Sequence, residues 1–211
     1  MLIDKNLVIL TGAGIAAALI YVGSRFSRMH KPQKVGKNFD YDPARMAGAV
    51  GEAKVASALI KLGSKYAVLN DLLPIPCRGR TAQIDHLVIA GNTIILIETK
   101  AWSGSASVLS RGKTWERYNK AGIKTGTVES PAAQSIRHRD TVACFIGEKH
   151  LKATLHPVVV FSNENMVLYG QDTVPAMGIK DLLGYIKYIC EQADSKPDKR
   201  LVSAFSEFIN H

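Results

Sequence analysis

Apolar and polar positions divide the chain after residue 42 into a helix, a run of strands, a helix, one more strand and two closing helices. Met46, Ala49, Val50, Ala53, Ala56, Leu59 and Ile60 recur at helical spacing until Gly63 ends the run, and Pro43 suits a first helical turn. Glu52 belongs to this helix, between small residues. Alternating or continuous apolar runs predict strands over 66–71, 83–90, 93–100, 105–110 and 114–118, followed by a helix over 131–146. The stretch HPVVVFS at 156–162 reads as a strand buried on both faces, because consecutive valines leave no side to turn to water. Helices over 179–193 and 197–209 close the chain. This order predicts an α/β fold, a mixed sheet flanked by helices.

The first 42 residues follow another pattern. Positions 7–23, LVILTGAGIAAALIYVG, are 17 residues without a charge, at the lower end of the roughly 17 to 25 that a spanning helix needs. A buried core helix and a cleaved signal peptide are the alternatives, and charge decides among the three. Lys5 is offset by Asp4 upstream, whereas Arg25, Arg28, Lys31, Lys34 and Lys37 follow the run and hold its C-terminal side in the cytoplasm. The expectation is an uncleaved transmembrane helix within 1–24, a basic juxtamembrane linker over 25–42 and a domain over 43–211 on the cytoplasmic side of the cell (inner) membrane. Gly12 with Ala16, and Gly14 with Ala18, give the small-residue spacing that lets two such helices approach, so a homodimer is an expected partner state.

Composition changes the picture in two places. Of 211 residues, 46% are hydrophobic and 21% charged, which suffices for a core and excludes disorder throughout. The net charge of +9 favours an anionic partner, nucleic acid or a phospholipid surface. Residues 1–45 hold 7 basic and 3 acidic groups, so +4 of the excess lies there and +5 is spread over the remainder. The body is therefore only mildly basic. Cys77, Cys144 and Cys190 are odd in number, widely spaced and free of any CxxC pattern, which argues against a disulfide framework or zinc site and for a reducing compartment.

The stretch QIDHLVIAGNTIILIETK, 83–100, carries the candidate chemistry. Gly91-Asn92 between two apolar runs signals a two-residue hairpin. If Ala90 pairs with Thr93, Asp85 lies opposite Glu98 and Gln83 opposite Lys100, all on one face, with the acidic Cβ atoms roughly 4.5 to 5.5 Å apart. Two facing carboxylates repel, and burying them is costly unless a cation or a proton intervenes. Lys100 sits beside them, but a divalent cation neutralises the pair better, since carboxylate oxygens are the ligands that Mg²⁺ prefers.

Asp85, a 12-residue gap and Glu98-Thr99-Lys100 resemble the D…(D/E)xK core of the PD-(D/E)xK nuclease superfamily. With Gly51-Glu52, Gln83-Ile84-Asp85-His86, Ile97, Gly104 and Trp115 the resemblance narrows to the nuclease-related domain, NERD, from about Ala47 to Gln134 or a little beyond. Ile84 stands where the superfamily's motif has proline, and Ser130-Pro131-Ala132-Ala133-Gln134 resembles the family's Asn-Pro-x-x-Gln element with serine for asparagine, itself a good N-cap. The resemblance implies a restriction-endonuclease-like fold and Mg²⁺, or Mn²⁺, held by Asp85, Glu98 and the Thr99 carbonyl. It also implies that Lys100 orients water or meets charge on the phosphate, that Glu52 is an outer ligand or a base, and that Gln134 holds the nucleophile or backbone. The implied activity is hydrolysis of phosphodiester bonds in DNA. The alternative is a non-catalytic module of the same fold that binds nucleic acid or acts as a scaffold at the membrane.

Each residue also has a plain reading. Asp85, Glu98 and Lys100 could be a structural ion cluster, though that leaves one carboxylate uncompensated. Glu52 could be a solvated helix residue and Gln134 an ordinary polar one. His86 points away from Asp85 and is expected beneath the sheet. Trp102 and Trp115 are expected to pack rather than stack on bases. Arg111, Lys113 and Arg137 are candidates for phosphate contact, and His138 and Arg139 lie within a turn of Gln134.

Overall fold

A computed structural model describes residues 42–108, 113–191 and 196–209. The expected anchor at 1–24, nearly all of the linker over 25–42 and Arg111 lie outside the described residues. Among those described, no helix is long and apolar enough to cross a membrane.

Helix α1 (Pro43–Leu59) begins at Asp42, whose side chain accepts the backbone N–H groups of Ala44 and Arg45, and Pro43 occupies the first turn where no N–H is needed. A 3₁₀ turn (Ile60–Leu62) leads to β1 (Ala67–Cys77), β2 (Arg80–Ala90), β3 (Thr93–Lys100), β4 (Ser105–Val108), β5 (Thr114–Tyr118) and β6 (Lys124–Glu129). Helix α2 (Pro131–Glu148), β7 (Thr154–Phe161), β8 (Val167–Tyr169), β9 (Ala176–Gly178), α3 (Ile179–Ile189) and α4 (Lys199–Ser206) complete the order. The predicted helices and long strands are present. β6, β8 and β9 were not expected, because short, polar or half-exposed strands leave little periodicity to read.

Two mixed sheets result. The larger has the order β1-β2-β3-β7-β9, and the smaller β6-β5-β4-β8. In the larger sheet β1, β2 and β3 are antiparallel neighbours, while β7 joins β3 in parallel after the α2 crossover. Its two faces bury separate cores. On one, Leu69, Leu87, Ile89, Ile94 and Leu96 meet Val142 and Phe145 of α2 and Leu201 and Phe205 of α4. On the other, Val88, Ile95, Val158 and Val160 meet Val55 and Leu59 of α1 and Leu182 and Ile186 of α3. Val158, Val159, Val160 and Phe161 are all buried, as a strand covered on both faces requires.

Trp115 is fully buried and joins the two sheets, with Trp102 and Phe161 packed around it. Its Nε1–H donates to Asp172 Oδ2 at 2.8 Å, and the same oxygen accepts the Ser130 hydroxyl at 3.1 Å. Both tryptophans pack, as expected, and the Arg117 guanidinium lies 4.6 Å from the Trp102 ring centroid.

The cysteine expectation is corrected. Cys77, at the end of β1, and Cys144, on α2, form a disulfide across a separation of 67 residues, and only Cys190 is free among the described cysteines. Spacing could not reveal this, because the pairing follows from α2 packing across β1, a contact between distant parts of the chain.

Helix α1 approaches the ends of β3 and β7 through Gly51. A Cβ there would lie 2.7 Å from Ser162 Oγ and 2.9 Å from Ala101 Cβ, whereas one at Gly48 would meet nothing within 4 Å. Alanine in a helix is favoured over glycine by about 1 kcal/mol, but forcing an extra methyl into a filled space costs about 1–3 kcal/mol. Gly48→Ala should therefore raise the urea midpoint and Gly51→Ala lower it, at unchanged m-value. Equal stabilisation by both would contradict the close packing.

Candidate metal and phosphodiester site

The site lies where β2 and β3 part. Their ladder runs from Ala90↔Thr93 to His86↔Ile97 in the predicted register and stops there. One residue further, Asp85 Oδ2 accepts the backbone N–H of Thr99 at 2.7 Å. That N–H belongs to the peptide bond following Glu98, so the Asp85 carboxylate is set against the backbone that carries the second carboxylate. In an extended strand a residue's N–H and C=O point to the same edge, so the Thr99 carbonyl also faces the Asp85 side, beyond the last ladder pair.

Glu98 is buried, and each of its oxygens meets a different partner. Lys100 Nζ donates to Oε1 at 2.6 Å, and His138 Nδ1 lies 3.4 Å from Oε2. Lys100 Nζ also donates to Gln134 Oε1 at 3.1 Å. Gln134 is held in place by its helix start: Ser130 is the N-cap of α2, its Oγ accepting the Ala133 N–H at 3.2 Å while its hydroxyl donates to Asp172. Serine thus fills the asparagine position of the motif. Glu52 comes from α1, half-buried, and its charge acts on Asp85.

The charges are unevenly matched. Burial pushes Asp85 well above the usual carboxylate range, the Glu98 charge pushes further, Glu52 adds to it, and the Thr99 N–H only partly opposes. Burial also acts to raise Glu98, but the His138 imidazole 3.4 Å from Oε2 and the Lys100 ammonium outweigh it and hold Glu98 below its ordinary value. Glu98 is compensated, and Asp85 only in part. A cation whose preferred ligands are carboxylate and carbonyl oxygens suits this donor set.

The other sequence candidates separate by place. Arg137 is spent on Glu129 at 2.6 Å, with both side chains more than half exposed. Lys113 is exposed just before β5. Gln83 is also exposed, and His86 is fully buried under the sheet with Nδ1 2.8 Å from Asn70 Oδ1. Gly104 has φ +85°, and a Cβ there would stand 2.2 Å from the Tyr118 carbonyl oxygen, so no other residue fits. Sequence reasoning gave His138 no role at Glu98 and did not see Asp172. The four-residue spacing from Gln134 was a signal for the first; nothing local marks the second.

The family model described as the nuclease-related domain matches residues 47–162, more than half of the chain. This chain belongs to the nuclease-related domain family. The match begins where the motifs suggested and extends past Gln134 to Ser162, which takes in α2 and β7. An uncharacterized protein of Bacillus anthracis is 31% identical over 137 residues, 59% of this chain and 63% of that protein. The chain thus spans less than two thirds of that relative. No solved structure matches. Asp85, Glu98, Lys100 and Gln134 all lie within the matched residues.

The raised Asp85 pKa has a signed consequence for the metal-free domain. The unfolded chain loses this proton near the ordinary 3.8 while the folded chain keeps it to higher pH. Folding stability should therefore fall as pH rises from about 4 through the folded-state value. Asp85→Asn keeps an oxygen for the Thr99 N–H and removes the charge. With chelator present it should be more stable than wild type at neutral pH and gain nothing below pH 4, as read by urea melts across pH. A neutral-pH loss of stability in Asp85→Asn would contradict the assignment of strain to this carboxylate.

Proposed function

We propose that this chain is a metal-dependent nuclease that hydrolyses phosphodiester bonds of DNA, tethered to the cell (inner) membrane by residues 7–23 with its domain in the cytoplasm. The observation that carries the reading is the half-buried Asp85 carboxylate, raised well above the usual range beside Glu98 and only partly offset by the Thr99 N–H and Lys100. Asp85, Glu98 and the Thr99 carbonyl would hold Mg²⁺ or Mn²⁺. Such a cation, when bound, supplies Lewis-acid polarisation of a phosphodiester oxygen and a lowered pKa for water. The Lys100 ammonium, oriented by Gln134, meets the charge that grows on the phosphate. Glu52, on α1 and close enough for its charge to act on Asp85, would accept a proton from the attacking water. Lys113 adds a cation at the surface, Arg111 is a further candidate for phosphate, and Arg137 is one only by leaving its exposed pair with Glu129.

A specific observation favours a second reading. Lys100 is already bonded to both Glu98 and Gln134, as it would be in a module that binds nucleic acid without cleaving it. The full-length chain in detergent, incubated with plasmid DNA, should cleave it in Mg²⁺ or Mn²⁺ and stop with chelator. Asp85→Ala and Lys100→Ala should each lower the rate by about 10²-fold or more. Salt-sensitive DNA binding without cleavage selects the binding module, and cleavage of RNA alone changes the substrate. Unchanged cleavage by both variants removes the site.

The tether rests on the uncharged stretch at 7–23 and on the five basic residues that follow it. Membranes from expressing cells should retain the full-length chain through alkaline carbonate washing and lose a chain lacking residues 1–24. Release of the full-length chain by the wash would exclude the span.

A further inference from the structure

Helix α2 and strand β3 meet in matched steps. Gln134 and His138 are four residues apart on α2, about 6 Å along its axis, and Glu98 and Lys100 are two residues apart on β3, about 6.6 Å. One face of the helix therefore spans one face of the strand, contact for contact: Gln134 to Lys100 at 3.1 Å and His138 to Glu98 at 3.4 Å. The order is reversed, the later helix residue meeting the earlier strand residue. Arg137 and Arg139, next to His138, are taken by Glu129 and Asp140 instead.

The two Glu98 oxygens differ in surroundings. Oε1 meets the Lys100 ammonium and, through it, Gln134, whereas Oε2 faces His138 in a small pocket that Ile84, Leu96, Ile97 and Ser135 also line. His138 is itself mostly buried, with 18% of its side chain exposed. A carboxylate whose two oxygens were equally free could turn about its last bond and present either one. Against an acceptor such as Glu98, Nδ1 of His138 serves as the donor whatever charge the ring carries.

We propose that His138 is a positioning residue of the nuclease site: standing 3.4 Å from Oε2 of Glu98 while Lys100 holds Oε1, it keeps this carboxylate in the orientation in which it would serve a divalent cation. The inference rests on the metal-site reading above and adds a residue that holds a ligand without touching the metal. Partners of this kind change metal affinity or activity by about 10- to 100-fold when removed.

The test is calorimetric titration of the metal-free, full-length chain with Mn²⁺, for wild type, His138→Ala and His138→Asn. The asparagine amide nitrogen stands close to where Nδ1 stands and can still donate. His138→Ala should bind Mn²⁺ about 10- to 100-fold more weakly, and His138→Asn should recover most of the loss. In cleavage assays saturating Mn²⁺ should restore the kcat of His138→Ala but not that of Lys100→Ala, because only the first acts through metal affinity. Wild-type binding with His138→Ala within twofold of it overturns the inference alone, as does His138→Asn no better than His138→Ala. A wild-type chain that binds no Mn²⁺ overturns the metal-site reading and the inference together.

Discussion

One hydrogen bond, from the Thr99 backbone to the Asp85 carboxylate, fixes the problem that the site has to solve. It continues the β2–β3 contact past the point where the ladder stops and holds Asp85 against the backbone of Glu98. Two carboxylates then share a low-dielectric edge of the sheet, where an unpaired charge is expensive. The remaining parts follow as responses to that charge. Lys100 and His138 satisfy Glu98, Gln134 steadies Lys100, and Asp85 is left for a cation or a proton.

Positioning those responders takes contacts from far along the chain. Helix α2 supplies Gln134 and His138, and its first turn is fixed by Ser130, which is anchored by Asp172 together with Trp115. Burial would raise Asp172, but the hydrogen bonds from Trp115, Thr173 and Ser130 outweigh it and keep the carboxylate low and charged. At the other end of the same helix the Cys77–Cys144 disulfide ties α2 to β1, a closure of 67 residues that by chain entropy adds about 4 kcal/mol. The helix that aligns the site is thus restrained at both ends, and the smaller sheet serves the site through Trp115.

What could be read from the sequence was local or strictly periodic. Gly91-Asn92 sets the hairpin register, and the expected opposition of Asp85 and Glu98 follows from it. The structure keeps that register to His86↔Ile97 and then replaces ladder pairing by the Asp85 side chain, a substitution that periodicity cannot express. The valine run located β7 because burial on both faces writes itself into composition. Asp172, by contrast, sits in a polar loop and matters only because folding carries it to Trp115, and the half-exposed β8 and β9 matter only as partners of β4 and β7.

The disulfide also alters the reasoning about compartment. Unpaired cysteines had agreed with a reducing cytoplasm, and that agreement is gone, since cytosolic thiols are ordinarily kept reduced. The proposed cytoplasmic placement rests on the charge asymmetry around 7–23, a physical argument independent of cysteine chemistry. The two are compatible if the bridge is dispensable to the fold's core. Phe145, beside Cys144, packs on Phe205 and Phe208, and Leu69, Leu87 and Val142 fill the same cluster. Those apolar contacts lie on α2 itself and need no bridge to form, so the alignment of Gln134 and His138 with Lys100 and Glu98 draws on packing as well as on the bridge.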